Sequence, residues 1–176
     1  MVNRNQNPFL NTAAAALTGV KCGISNKNFW PSVTEAMKQN AAEIQHLPKA
    51  ETYRSHLEKY LYKRVQIVST KGWNIVEQNP SRTRLCLNDA MLIFASVKRH
   101  QSAEELRVPT GHMHIHVDNN WMRFVDPQPN EDLLVNGVLY EYKNAQGFRN
   151  IGILPVIVTP IKNHHKNYKK SKKKKS

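Results

Sequence analysis

The chain has 176 residues, 40% of them hydrophobic, and a formal net charge of +13. That length allows one domain with its own core and is short for two. No apolar run reaches the roughly 18 residues a membrane-crossing helix needs, and two cysteines, Cys22 and Cys86, are too few for a disulfide framework. No membrane partner and no secretory signal are therefore expected, and the expected location is intracellular, cytoplasmic or nuclear.

In chain order, residues 1–29 are rich in Asn and small side chains and read as a flexible arm. A helix is expected over about 32–47. Ser32 and Glu35 have the spacing of a capping box, in which each side chain satisfies a free backbone N–H at the helix start. Val33, Met37, Ala41, Ile44 and Leu47 recur at helical spacing, and Pro48 ends the pattern. A second helix is expected over about 51–62, with Tyr53, Leu57, Tyr60 and Leu61 on one side.

Beyond it the period changes from helical to two. KRVQIVS alternates as a strand does, Lys71–Gly72 marks a turn, and WNIVEQ follows. TRLCLNDAMLIFASV reads as strands at Thr83–Leu87 and Met91–Val97 joined by a hairpin turn at Asn88–Asp89. KRHQSAEELRVPTG reads as a polar connection, and HMHIHV and WMRFV as strands about the turn DNN. GVLYEYK, the turn NAQG and ILPVIVTPI complete the set, and Pro155 and Pro160 place the last strand at an edge. Helices followed by mainly antiparallel strands make the expected class α+β, with a sheet or small barrel. The expected organisation is an arm at 1–29, one globular domain at 30–161 and a disordered Lys-rich tail at 162–176.

The stretch GHMHIHVDNN carries the most specific chemistry. On a strand, His112, His114 and His116 point one way while Met113, Ile115 and Val117 point the other, into a core. Neutral imidazoles two residues apart can share a divalent ion if a third ligand joins them, and Asp118, Asp126 and Glu141 are candidates. The plainer reading is the polar face of an amphipathic strand. Between these stands a face of histidines that charge beside phosphates.

HMHIH resembles the His–hydrophobe–His signature of the HUH endonucleases, the replication initiators and relaxases that nick single-stranded DNA. The resemblance implies that His114 and His116, or His112 and His114, hold a divalent ion. It also implies that Tyr140, in a Tyr-x-x-Lys pattern completed by Lys143 in YEYK, attacks the phosphate and stays joined to it. The chain departs from that pattern. Its tyrosine falls in a hairpin rather than a helix, lies close to the histidines in sequence, and has no matching motif upstream. Asp126 or Asp132 followed by Glu141-x-Lys143 has the shape of a second metal-nuclease site, against which stands a solvated strand face. LEKYLYKRVQIVSTKGWNI is similar to the helix-then-strand opening of Sm-like RNA-binding folds, without their paired glycine.

The charge is concentrated. KNHHKNYKKSKKKKS holds eight lysines and no acid, so removing it from +13 leaves +5. Lys162, Lys166, Lys169, Lys170, Lys172, Lys173, Lys174 and Lys175 form a polycation that attracts phosphates, and Tyr168 among them can stack on a base. On the body, Lys63, Arg64, Lys71 and Arg123 lie beside aromatic residues and are expected to contact nucleic acid, whereas the tryptophans are expected in the core. The sequence thus points first to a nucleic-acid binder, for DNA or RNA. The second reading is a metal-dependent nuclease or nicking enzyme, the only one that needs a divalent cofactor. The third is a structural capsid or ribonucleoprotein subunit.

Overall fold

The stripe Val33–Met37–Ala41 is buried, as helical periodicity requires, and the alternation Met113–Ile115–Val117 is buried as strand periodicity requires. The computed structural model that contains them describes residues 29–96 and 104–162. Its elements are helix α1 (Phe29–Ala42), a 3₁₀ turn (Ser55–Tyr60), strands β1 (Arg64–Val68), β2 (Trp73–Gln78), β3 (Arg82–Ala95) and β4 (Glu104–Asp118), helix α2 (Asn119–Val125), and strands β5 (Glu131–Lys143) and β6 (Arg149–Lys162). Every ladder between these strands is antiparallel, so the class is α+β. Among the described residues, no helix is long and apolar enough to cross a membrane.

Strand β3 is the spine. Along one edge it pairs with β4 from Arg82↔Asp118 to Ala95↔Glu104. Along the other it pairs first with β2 and then with β1. β1 passes the sheet on to β5, and β5 to β6. The barrel allowed by the sequence does not form, because no ladder joins β4 to β6 and the sheet is open. Among the described residues, Arg54 hydrogen-bonds to both edges of the gap. Arg54 donates from Nε to the Thr110 carbonyl (2.9 Å) and from Nη2 to the His112 carbonyl (2.6 Å) on β4, and from Nη1 to the Ile151 carbonyl (3.3 Å) on β6.

The main core lies on one face, where Leu85, Leu87, Leu92, Met113, Ile115, Leu133, Val135, Leu139, Ile151 and Ile153 pack with Leu57, Val65 and Ile67. On the other face, α1 covers Val138 and Leu154 with Phe29, Val33 and Met37. Each such side chain contributes roughly 1.5–3 kcal/mol when removed from water. Cys86 is buried as a small hydrophobe, as its setting in RLCLND suggests.

Several expected boundaries move. Helix α1 starts by Phe29 and gives way to turns after Ala42, so Ser32 sits inside the helix rather than at its cap. The expected second helix is only the 3₁₀ turn, because its ends are claimed by the sheet. Arg54 reaches to β4 and β6, and Tyr62, at φ 60°, donates its N–H to the Leu139 carbonyl. Asn88–Asp89 is not a hairpin. Asp89 takes φ 43° within an irregular stretch of one continuous strand, since β4 pairs with β3 on both sides of it. WMRFV is not a strand but most of α2. Asp118 caps that helix, accepting from the Asn120 N–H at 2.7 Å, so DNN is a helix start rather than a strand turn. β4 reaches back to Glu104 into the expected connection. Pro155 and Pro160 do lie on an edge strand, β6. The arm, apart from Phe29, and the tail, apart from Lys162, lie outside the described residues.

Candidate functional site

Where β4 and β6 approach each other the sheet leaves a cleft of about 340 Å³. Arg54, Arg84, His112, His114, His116, Tyr140 and Tyr142 line it, with Gly152 among the backbone residues, and none of its lining residues carries a carboxylate. Each side chain is there for a reason of register. β4 alternates, so burying Met113 and Ile115 turns the three histidines to the opposite face. β3 pairs Arg84 with His116 and Cys86 with His114 across the ladder, which puts the Arg84 guanidinium among the imidazoles. β5 buries Leu139 and Glu141 and leaves Tyr140 and Tyr142 on the other face.

Arg84 fixes the state of His114. Its Nη2 lies 3.1 Å from His114 Nδ1. A guanidinium only donates, so Nδ1 accepts and the imidazole proton sits on Nε2. Burial pushes the His114 pKa down to about 4, and the charges of Arg84, His112, Arg54 and His116 push it the same way. His116 is also lowered, first by burial and then by Arg82 and Arg84, with Glu77 opposing. At neutral pH His114 is therefore an uncharged N–H donor, and the guanidiniums of Arg54 and Arg84 stand in the same cleft. The rings of His112 and His114 lie 5.3 Å apart between centroids.

Tyr140 and Tyr142 lie side by side, centroids 5.8 Å apart, with their rings over Gly152. A Cβ at that position would meet Tyr142 Cε1 at 3.0 Å and Tyr140 Cε1 at 3.7 Å, so the glycine leaves room for the two rings. Burial, with Tyr142 adding to it, pushes the Tyr140 phenol up to about 12. It is a neutral phenol at physiological pH.

This lining suits an anion better than a cation. A metal at His114 Nε2 must displace the proton that Arg84 holds there, and the cleft supplies no acidic ligand. Among the described residues, no group of three or more His, Cys, Asp or Glu side chains is placed to hold a metal ion. Asp118 is occupied capping α2, and Asp126 is the exposed C-cap of the same helix. The cleft does bring Tyr140 alongside the three histidines, while Lys143 is exposed and outside the lining.

The second metal pattern divides into two structural networks. Buried Glu141 accepts from Gln45 Nε2 (3.0 Å), Tyr53 OH (2.9 Å) and Tyr62 OH (3.4 Å), and pairs with Arg149 Nη1 at 3.3 Å. Burial raises the pKa of both phenols, and the hydrogen bond and charge of Glu141 add to it. Buried Asp132 accepts from the Gly72 N–H (2.7 Å) and Ser69 Oγ (3.1 Å), which fixes the turn between β1 and β2. Neither is a solvated strand face, and they do not meet.

The basic candidates on the body also separate. Arg64 lies between aromatic rings, its guanidinium carbon 5.0 Å from the Trp30 centroid and 5.6 Å from that of Phe94. Lys71 is ion-paired with Asp89 at 2.7 Å, which raises its pKa and offsets its charge. Lys63 is half-buried. Arg123 is exposed on α2 beside Phe124, which is 71% exposed. Trp73 and Trp121 pack against the core, as expected. Lys162 is exposed at the end of β6. Lys166, Tyr168, Lys169, Lys170, Lys172, Lys173, Lys174 and Lys175 lie outside the described residues.

Sequence reasoning missed Arg54, Arg84 and Tyr142. The alternation Arg82–Arg84 in RTRLCL was a usable signal for Arg84, since it puts both arginines on the face opposite Thr83 and Leu85. Arg54 left no signal, because its role depends on two strands distant in sequence.

No family model matches this chain, and no curated protein and no solved structure matches it.

Proposed function

We propose that the protein binds nucleic acid, with the β4–β6 cleft as a specific contact point and the lysine tail as a diffuse one. The carrying observation is the composition of the cleft, in which Arg54 and Arg84 meet three histidines and two tyrosines with no acid among the lining residues. A guanidinium presents a planar fork of donors that matches a phosphate. Arg54 spends three donors on backbone carbonyls, so it contributes charge and shape, and Arg84 is the contact group. The eight tail lysines supply attraction that does not depend on sequence. The test is fluorescence anisotropy with a labelled oligonucleotide at low ionic strength. The full chain binds, and Arg84→Gln weakens binding roughly tenfold, the scale of a charge-assisted hydrogen bond. A full chain that ignores DNA and RNA oligonucleotides in dilute buffer ends this reading.

One observation supports a second reading, single-strand nicking: Tyr140 shares the cleft with the histidines. Its raised phenol pKa and the Arg84 proton lock on His114 count against it. Mn²⁺-dependent nicking lost in Tyr140→Phe would establish it.

A further inference from the structure

We propose that the cleft takes a single unstacked nucleotide, its base against Tyr140 and Tyr142 and its phosphate against Arg84, so that the protein selects single strands over duplex. This rests on the nucleic-acid reading above and adds which form of nucleic acid is bound.

Size comes first. About 340 Å³ lies at the small end of the roughly 300–1,000 Å³ typical of ligand pockets, which suits one nucleotide. A duplex keeps its bases stacked inside and offers a cleft of this size only its backbone. Surface is the second argument. Tyr140, Tyr142, His112 and His114 are four aromatic rings around one opening, and the glycine at position 152 leaves the tyrosine rings their room. Aromatic faces stack on any unpaired base and gain nothing from a paired one. Charge is the third. The guanidinium of Arg84 and the N–H that it leaves on His114 Nε2 are donors beside those rings, with no carboxylate in the lining to repel a phosphate. Inorganic phosphate satisfies the donors and leaves the rings unused. An acidic peptide does the same unless it carries an aromatic side chain at the right distance. A nucleotide uses both.

The test uses the full chain at one ionic strength, with a labelled oligonucleotide offered single-stranded or annealed to its complement. The single strand binds about tenfold more tightly, the size one base stack gives. Tyr142→Leu and His112→Ala each reduce that ratio toward one while the thermal melt stays within a few degrees. His112 is exposed, so its replacement keeps the assay meaningful if Tyr142→Leu unfolds. Adenosine monophosphate displaces the strand at concentrations where inorganic phosphate does not. Equal affinity for both forms, unchanged in His112→Ala, overturns the nucleotide pocket and leaves the nucleic-acid reading standing. Displacement by an acidic peptide as effective as by the mononucleotide overturns it too. Failure to bind either form overturns the broader reading.

Discussion

At the scale of single residues, burial, reinforced by the charge of Arg84, gives His114 a defined pH response. His114 has an ordinary pKa of 6.5 and is pushed to about 4 in the fold, mainly by burial. Above pH 6.5 the ring is neutral in folded and unfolded chains alike, and its contribution to stability is complete. As pH falls from 6.5 toward 4 the unfolded chain takes a proton that the folded one refuses, so stability is lost through that window and no further below it. His116 moves in the same direction. With solvent screening at a partly open site, the loss is about 1 kcal/mol. Urea unfolding at pH 7 and at pH 4.5 measures it, and Arg84→Gln shrinks it by letting the His114 pKa rise. Equal stability at both values would mean that His114 titrates normally. A phosphate bound in the cleft raises the same pKa, so affinity for a strand increases as pH falls toward the free-state value.

At the scale of elements, what was legible in the sequence is what a single period encodes. The α1 stripe and the histidine face of β4 both follow from spacing alone, and so does the edge position of β6 from its prolines. The errors fall where a neighbour decides. WMRFV has no period to read, and it is helical because Asp118 caps it and the chain must turn beyond β4. Asn88–Asp89 has the composition of a turn, but β4 pairs with β3 on both sides of it and β3 stays whole. The site was half legible for the same reason. The histidines share a strand, whereas Arg84 and Tyr142 join them only through register. Arg54 immediately precedes the 3₁₀ turn and reaches a carbonyl 58 residues away. Its position predicts its role. Arg54→Met leaves the carbonyls of Thr110, His112 and Ile151 without that donor in a half-buried gap, at a cost of about 2–3 kcal/mol. Hydrogen exchange then speeds up in β4 near Thr110–Met113 and in β6 near Ile151–Ile153, while α1 is unaffected. Uniform acceleration over the whole chain would instead mean that Arg54 holds the core and not the gap.

At the scale of the whole molecule, the two proposed kinds of binding are joined on one chain, and salt would separate them. Of the +13 charge, eight lysines lie in residues 162–176. Each phosphate they neutralise releases counterions and adds about 0.7 to the slope of log affinity against log salt on a single strand. A chain ending at residue 161 is therefore expected to have a slope shallower by up to about 6, and to bind much more weakly in dilute buffer. Counterion release does not distinguish a paired base from an unpaired one, whereas the cleft, as proposed, does. The shortened chain thus keeps its preference for single strands while losing affinity for both forms in similar measure. The measurement is a salt titration of both chains against both forms of one oligonucleotide. A preference that disappears with the tail would place the discrimination in the lysines and Tyr168, and the cleft between β4 and β6 would then have no part in it.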